Sequence, residues 1–220
     1  MALLLFAASQ ATAALGSPGT AHSRLFAQPR LESLLEAQRS SVVRIPQFLS
    51  TSEIERIHEA ASETASIEGQ QDIHKRQGAP EGTWSTVFFN HHLAALLPEL
   101  HQRLLDTART TDAAAWKLLD DERHSLNFRC VEYHVVSEGG GIPMPKHHDF
   151  GSLLTMDVML SDPSSDFSGG TFCTLESDGR MQTHSFEQGD LLIFQSHKYH
   201  WCAVRTHSPL SCRARSHTPG

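Results

Sequence analysis

The sequence predicts an α+β fold that is mainly β, a jelly-roll (double-stranded β-helix) core with N-terminal supporting helices, and three observations lead there. Two amphipathic helical stretches lie in the first half of the chain. Beyond Trp116 the pattern changes to short runs of period-two alternation broken by Gly, Pro, Ser and Asp, as in strands joined by turns. The length, 220 residues, suits one domain whose core is large enough to form without disulfides. Helices first and strands afterwards are what a helix-buttressed jelly-roll looks like in sequence.

The first thirty residues carry no Asp or Glu and open on an apolar run from Ala2 to Ala8 that ends near small residues. This composition suits a targeting peptide, although the basic start of a secretory signal is missing and the run is too short to span a bilayer. Residues 1–41 are therefore expected to be a disordered or targeting segment. A targeting role would send the chain to the secretory pathway, the endoplasmic reticulum or an organelle; a disordered one would leave it cytoplasmic. No stable membrane span is expected. The ordered domain is placed at 42–215, with its jelly-roll core at about 126–215.

From Val42, VVRIPQFLSTSEIERIHEAAS reads as a strand, a Pro-containing turn and a helix. Ser50 and Glu53 have the spacing of a capping box, and Ile54, Ile57 and Ala61 share a helical face. The polar segment from Glu63 to Gly82 is expected to be a loop. Leu93, Leu96, Leu97, Leu100 and Leu104 recur at the spacing of a second amphipathic helix, a stripe best explained as core. The strands expected after the acidic turn near Asp120 are Phe128–Val136, Leu153–Leu160, Thr171–Leu175, Met181–Phe186 and Leu191–Phe194. Gly169-Gly170 and Gly139 to Gly141 read as turns, where glycine admits backbone angles that other residues resist.

A formal net charge of −7 argues against binding nucleic acid or an anionic membrane, since both need clustered Lys and Arg. The four cysteines, Cys130, Cys173, Cys202 and Cys212, match no zinc spacing and read as small buried or free thiols. With 15 histidines, chance pairings are common, so spacing and context decide. In KHHDFGS, His147 and Asp149 are two residues apart, and on an extended segment both side chains leave one face; His148 points the other way. A third ligand follows some fifty residues later, where the apolar run of GDLLIFQSHKYH leads into His197 and His200. Two imidazoles and a carboxylate on one face of an octahedral ion leave three positions open, which suits iron(II) oxygenases. Zinc hydrolases use similar ligands but keep a single open position.

At this point the stretch from Val42 to His200 resembles the prolyl 4-hydroxylase-like branch of the 2-oxoglutarate and iron(II)-dependent oxygenases. Five ordered blocks carry the resemblance: IPQFLSTSEIERIHEA, RCVEYHVVSEGGG, HHDFGSLLTMDVMLSD, FSGGTF and FEQGDLLIFQSHKYH. It implies that His147, Asp149 and His200 hold Fe(2+), with His200 preferred over His197 because Phe194, Ser196 and His200 meet the family's spacing. It implies that Tyr133 binds the cosubstrate 2-oxoglutarate, that L-ascorbate keeps the iron reduced, and that a C–H bond is hydroxylated. The substrate, a protein or a small molecule, is not legible; a prolyl side chain in a protein is the first candidate from the family.

The chain departs from the family beyond His200. Family members show a Gly-containing turn, a basic residue about ten positions past the histidine, and one more long core strand. Here Leu210 stands at that position, the Gly turn is absent and no alternating apolar strand follows. The far carboxylate of 2-oxoglutarate calls for a charge-assisted partner, and Arg213, or failing it Arg205, is the candidate. The last twenty residues are expected to be an altered end, which leaves a non-catalytic jelly-roll module binding a metal or ligand as the alternative function.

Overall fold

The computed structural model describes residues 1–11, 41–75, 83–119, 125–137, 147–167, 169–176 and 179–203. In chain order the elements are β1 (Ala2–Ala11), β2 (Val43–Ile45), α1 (Thr51–Ala65), β3 (Gln71–Lys75), β4 (Thr83–Phe88), the short α2 (His92–Leu96), α3 (Pro98–Ala115), β5 (Ser125–Val136), β6 (Leu154–Met159), β7 (Thr171–Leu175), β8 (Met181–His184), β9 (Leu191–Gln195) and β10 (His200–Ala203). Every strand pair is antiparallel. A seven-stranded sheet runs β2-β9-β6-β1-β5-β4-β3 and a three-stranded sheet runs β10-β7-β8.

Local chemistry accounts for the helices. The capping box expected at the start of α1 is present: Glu53 N donates to Ser50 Oγ at 3.4 Å, and Ser50 N donates to the Glu53 carboxylate at 2.9 Å. The leucine stripe, read as one helix, is divided in two. Pro98 has no N–H to continue the hydrogen bonding of α2 and is preorganised for the first position of a new helix, so α3 begins there.

Period-two alternation sorts the strand side chains into two cores. Leu154, Met156 and Val158 of β6, with Leu191 and Ile193 of β9, join Ile54, Ile57, Leu93 and Leu104 in a core between the large sheet and the helices. Met159, Leu192 and Phe194 face the other way and pack with Phe172 and Phe186 between the sheets. Strand β6 is buried on both faces. At the edge, the Arg44 guanidinium pairs with buried Asp190 at 2.6 Å, tying β2 to the turn that enters β9. Gly169 and Gly170 have φ of 86° and 65°, and a Cβ on Gly170 would lie 2.3 Å from the Phe167 ring, so this turn needs glycine as expected.

Three segments differ from their expected secondary structure. Residues 2–11, within the 1–41 segment expected to be disordered or targeting, form a strand paired with β5 on one edge and β6 on the other. A near-continuous apolar run carries no alternation, so a strand in mid-sheet and a targeting peptide read alike; residues 12–40 lie outside the described residues. The expected loop from Glu63 to Gly82 begins with the last turn of α1 and contains β3, which pairs with β4 from Gln71↔Val87 to Lys75↔Thr83. Its polar sequence, with Ile73 55% exposed, hides a strand held by its neighbour at the sheet edge. His200–Ala203, where no strand was expected, pairs with β7. Residues 204–220, including Arg205 and Arg213, lie outside the described residues. Among the described residues no helix is long and apolar enough to cross a membrane.

Candidate metal centre

Backbone pairing brings the three expected ligands together. His147 N donates to His200 O at 3.2 Å and His200 N donates to His147 O at 2.9 Å, while Asp149 N donates to Ser196 O at 2.9 Å. The His-x-Asp segment is thereby stitched to the turn between β9 and β10. His147 Nε2 lies 3.8 Å from Asp149 Oδ1, His200 Nε2 lies 3.8 Å from Asp149 Oδ2, and the three ligand atoms all fall within 4.8 Å of one another. Metal–ligand bonds of about 2.0–2.2 Å let one ion bridge donors up to about 4 Å apart, so the cluster fits an ion with little adjustment. His197, the competing histidine, is not part of the cluster; burial, then Lys198 and His148, lower its pKa. His148 points away as expected, its ring against Tyr199 at 5.1 Å.

Two of the ligands, His200 and Asp149, are oriented by neighbours. The Lys198 carbonyl accepts from His200 Nδ1 at 3.0 Å, which leaves the Nε2 lone pair for a metal. Phe172 stacks on the His200 ring at 5.8 Å and Phe194 meets it edge-on at 4.8 Å. Thr155 Oγ1 donates to Asp149 Oδ2 at 2.6 Å and stands 2.8 Å from Ser196 Oγ; with the threonine proton committed to Asp149, Ser196 is the donor of the second bond. Lys198 pairs with Glu176 at 2.8 Å, anchoring the turn that carries His200 to the end of β7.

The ligands open onto a cavity of about 330 Å³ between the sheets. A larger, shallow depression of about 720 Å³ runs along α3 past Arg103 and Thr107 and contains none of them. Strand β5 contributes Glu132 and His134 to the cavity, but not Tyr133. The Tyr133 hydroxyl is 2.9 Å from His58 Nδ1 of α1, its ring packs against Phe89, and burial raises its pKa. The cause is a bulge: Ala7 pairs with Cys130 and Ala8 with Phe128, which skips Arg129. One extra residue reverses strand parity, so Leu126 and Phe128 before it and Val131 and Tyr133 after it all pack with the helix-facing core. The assignment of Tyr133 to the cosubstrate is therefore corrected: it lies on the opposite face from the ligands.

Sequence reasoning missed the polar wall that replaces it. Trp84 Nε1 donates to His134 Nδ1 at 3.0 Å, Thr86 Oγ1 is 3.0 Å from the same atom, and His134 Nε2 is 3.2 Å from the Glu132 carboxylate. Indole N–H can only donate, so Nδ1 is the acceptor and Nε2 carries the imidazole proton toward Glu132. It also missed Asp157 on β6, which lines the cavity, is 1% exposed and has an Oδ1 with no hydrogen-bond partner. Burial, and then the charge of Asp149, push its carboxyl well above the usual range. Burial, then Asp157 and Cys173, likewise push up the Cys202 thiol. The available signal was the alternation of Thr155, Asp157 and Met159 opposite three apolar residues. Among the described lining residues there is no Lys or Arg.

The fold has a solved counterpart. The crystal structure of a prolyl-4-hydroxylase from Pseudomonas putida matches with a TM-score of 0.54 over 79% of this chain and 91% of that one, at 13% sequence identity. The likeness is one of fold. No protein-family model matches the sequence, and no curated protein matches it. The two antiparallel sheets with helices on one side are thus a prolyl-4-hydroxylase-like arrangement, and the His-Asp-His cluster lies between those sheets.

Proposed function

We propose that the protein is an iron(II)- and 2-oxoglutarate-dependent dioxygenase that hydroxylates a C–H bond, with a prolyl side chain of a protein as the first substrate class to test. The observation that carries this reading is the convergence of His147, Asp149 and His200 on one cavity. Two imidazoles and one carboxylate suit a six-coordinate ion with positions left over for other ligands. When bound, iron and 2-oxoglutarate would supply oxidising chemistry for which no amino-acid side chain is suited. Thr155 holds the Asp149 carboxylate and is itself held by the Ser196 hydroxyl, the Lys198 carbonyl sets the His200 tautomer, and Trp84, Phe172 and Trp201 wall the cavity against water, which strengthens every polar interaction inside. Ascorbate, by the same reading, keeps the metal reduced.

The test is to load the full chain anaerobically with iron(II) and 2-oxoglutarate, admit oxygen and assay succinate. Succinate is expected only when metal and cosubstrate are both present. His147→Ala and Asp149→Ala should lose iron binding and succinate together while keeping the circular dichroism of the parent; full activity in either variant would contradict the ligand assignment. Tight metal binding by the parent without metal-dependent succinate would favour the non-catalytic module.

A further inference from the structure

The geometry points to a guanidinium-binding wall in the metal cavity, where Glu132 and Asp157 receive the planar cation of an arginine-like group on the substrate. As a statement about the substrate this rests on the oxygenase reading above; as a statement about the cavity it stands alone.

Register brings the two acids together. Glu132 of β5 and Asp157 of β6 both pair with Leu5 of β1, so they belong to one row across the sheet and their side chains leave the same face. Two strand spacings, about 9–10 Å, separate their backbones. Phe88 of β4 stands directly opposite Glu132, and both line the cavity with Trp84 and Asp157.

Hydrogen bonding sets the charge of this wall. Trp84 Nε1 and Thr86 Oγ1 both hold His134 Nδ1, so the single imidazole proton lies on Nε2, directed at Glu132. A neutral imidazole leaves the negative charge of Glu132 uncompensated. Asp157 is 1% exposed, and its Oδ1 has no hydrogen-bond partner among the described residues. A buried polar atom in that state is uncommon and calls for a missing group. A carboxyl keeps an acceptor oxygen in either protonation state, so a donor satisfies Asp157 whatever its titration.

The described lining offers no Lys or Arg. Such a wall repels a carboxylate and does not suit the far end of 2-oxoglutarate, for which Arg205 and Arg213, outside the described residues, stay the candidates. It suits a cation rich in N–H donors. Guanidinium serves better than ammonium because its donors sit on separate nitrogens and reach two acids in one row, its plane stacks on aromatic rings, and it sheds water more readily. His74, with its side chain 47% exposed, lines the same cavity and marks the side of entry; buried Asp157 marks the closed end.

Isothermal titration calorimetry tests this with N-acetyl-arginine methylamide against N-acetyl-citrulline methylamide, which match in shape and differ in charge. The full chain is used, anaerobic and loaded with iron(II) so that Asp149 is engaged by the metal. The parent is expected to bind the arginine probe about tenfold or more tightly than the citrulline probe. Glu132→Gln and Asp157→Asn should each cut that preference by about threefold or more, and the double variant should bring the probes within about twofold. Iron affinity near the parent value in these variants would tie the lost preference to the two acids. Equal binding of both probes by the parent, or a preference that survives in the double variant, would overturn the inference. So would N-acetyl-lysine methylamide bound as tightly as the arginine probe, since a plain acidic patch does not tell the two cations apart. If the chain failed to bind iron, the same preference and its loss in the metal-free variants would uphold the wall while the oxygenase reading fell; iron-dependent succinate without the preference would do the reverse.

Discussion

The two faces of β6 are both buried, yet they carry opposite chemistry. Leu154, Met156 and Val158 press against the helices, while one residue out of phase Thr155 bonds the ligand Asp149 and Asp157 lines the metal cavity. The apolar face contributes burial, roughly 1.5–3 kcal/mol for each large side chain taken fully from water, and asks only for shape. The polar face contributes little of that kind. Its groups are tolerated where they satisfy one another, as Thr155 does Asp149. A strand can thus be essential to the core on one side and carry a reactive site on the other, and the position of an acid within it decides whether it harms or serves.

Moving the acid by one residue breaks the comparison most severely. Val158→Asp puts a carboxylate into the helix-facing core without a donor, and a loss of at least about 3 kcal/mol is expected, read as a collapse of the urea midpoint. Unchanged stability would mean that the two faces do not differ as described. Thr155→Val keeps the shape but removes the donor from Asp149, and metal affinity is expected to fall about tenfold, measured by competition with a chelator; an affinity equal to that of the parent would remove Thr155 from the site.

The smallest effect concerns proton linkage in the metal-free protein. Asp157 faces Asp149, Glu132, His134 and Cys202 across the cavity, and its carboxyl is raised by burial and by Asp149. The folded chain therefore keeps a proton that the unfolded chain releases above about pH 4. Stability from this group is complete below that value and is lost as the pH rises through the raised folded one. Asp157→Asn should flatten this part of the curve of melting temperature against pH. A curve of the same slope would assign the loss to another group.

A second contrast, between the ligands and the strands around them, shows what could be read from residues alone. The capping box at Ser50, the alternation in Thr171–Leu175, the apolar run Leu191–Phe194 and the His-x-Asp spacing are local patterns, and the structure has them where they were expected. Strands β1 and β3 were not legible, because one lacks alternation and the other has a single apolar residue, the exposed Ile73, and each owes its place to the strands beside it. Tyr133 was assigned to the wrong face for a related reason. The bulge at Arg129 is visible only in the pairing of Ala7 and Ala8 with Cys130 and Phe128, between segments far apart in sequence.

By itself the sequence determined the kinds of side chain and their local periods, and hence that two histidines and an aspartate were available on strand-like segments. The tertiary structure decided which face each residue of β5 presents, that residues 2–11 fill the gap between β5 and β6, and that Asp157 ends inside the cavity. The physical reason is register. A slip of one residue exchanges the two faces of a strand, and register is settled by burial and hydrogen bonding summed over distant segments, which no single stretch of residues contains.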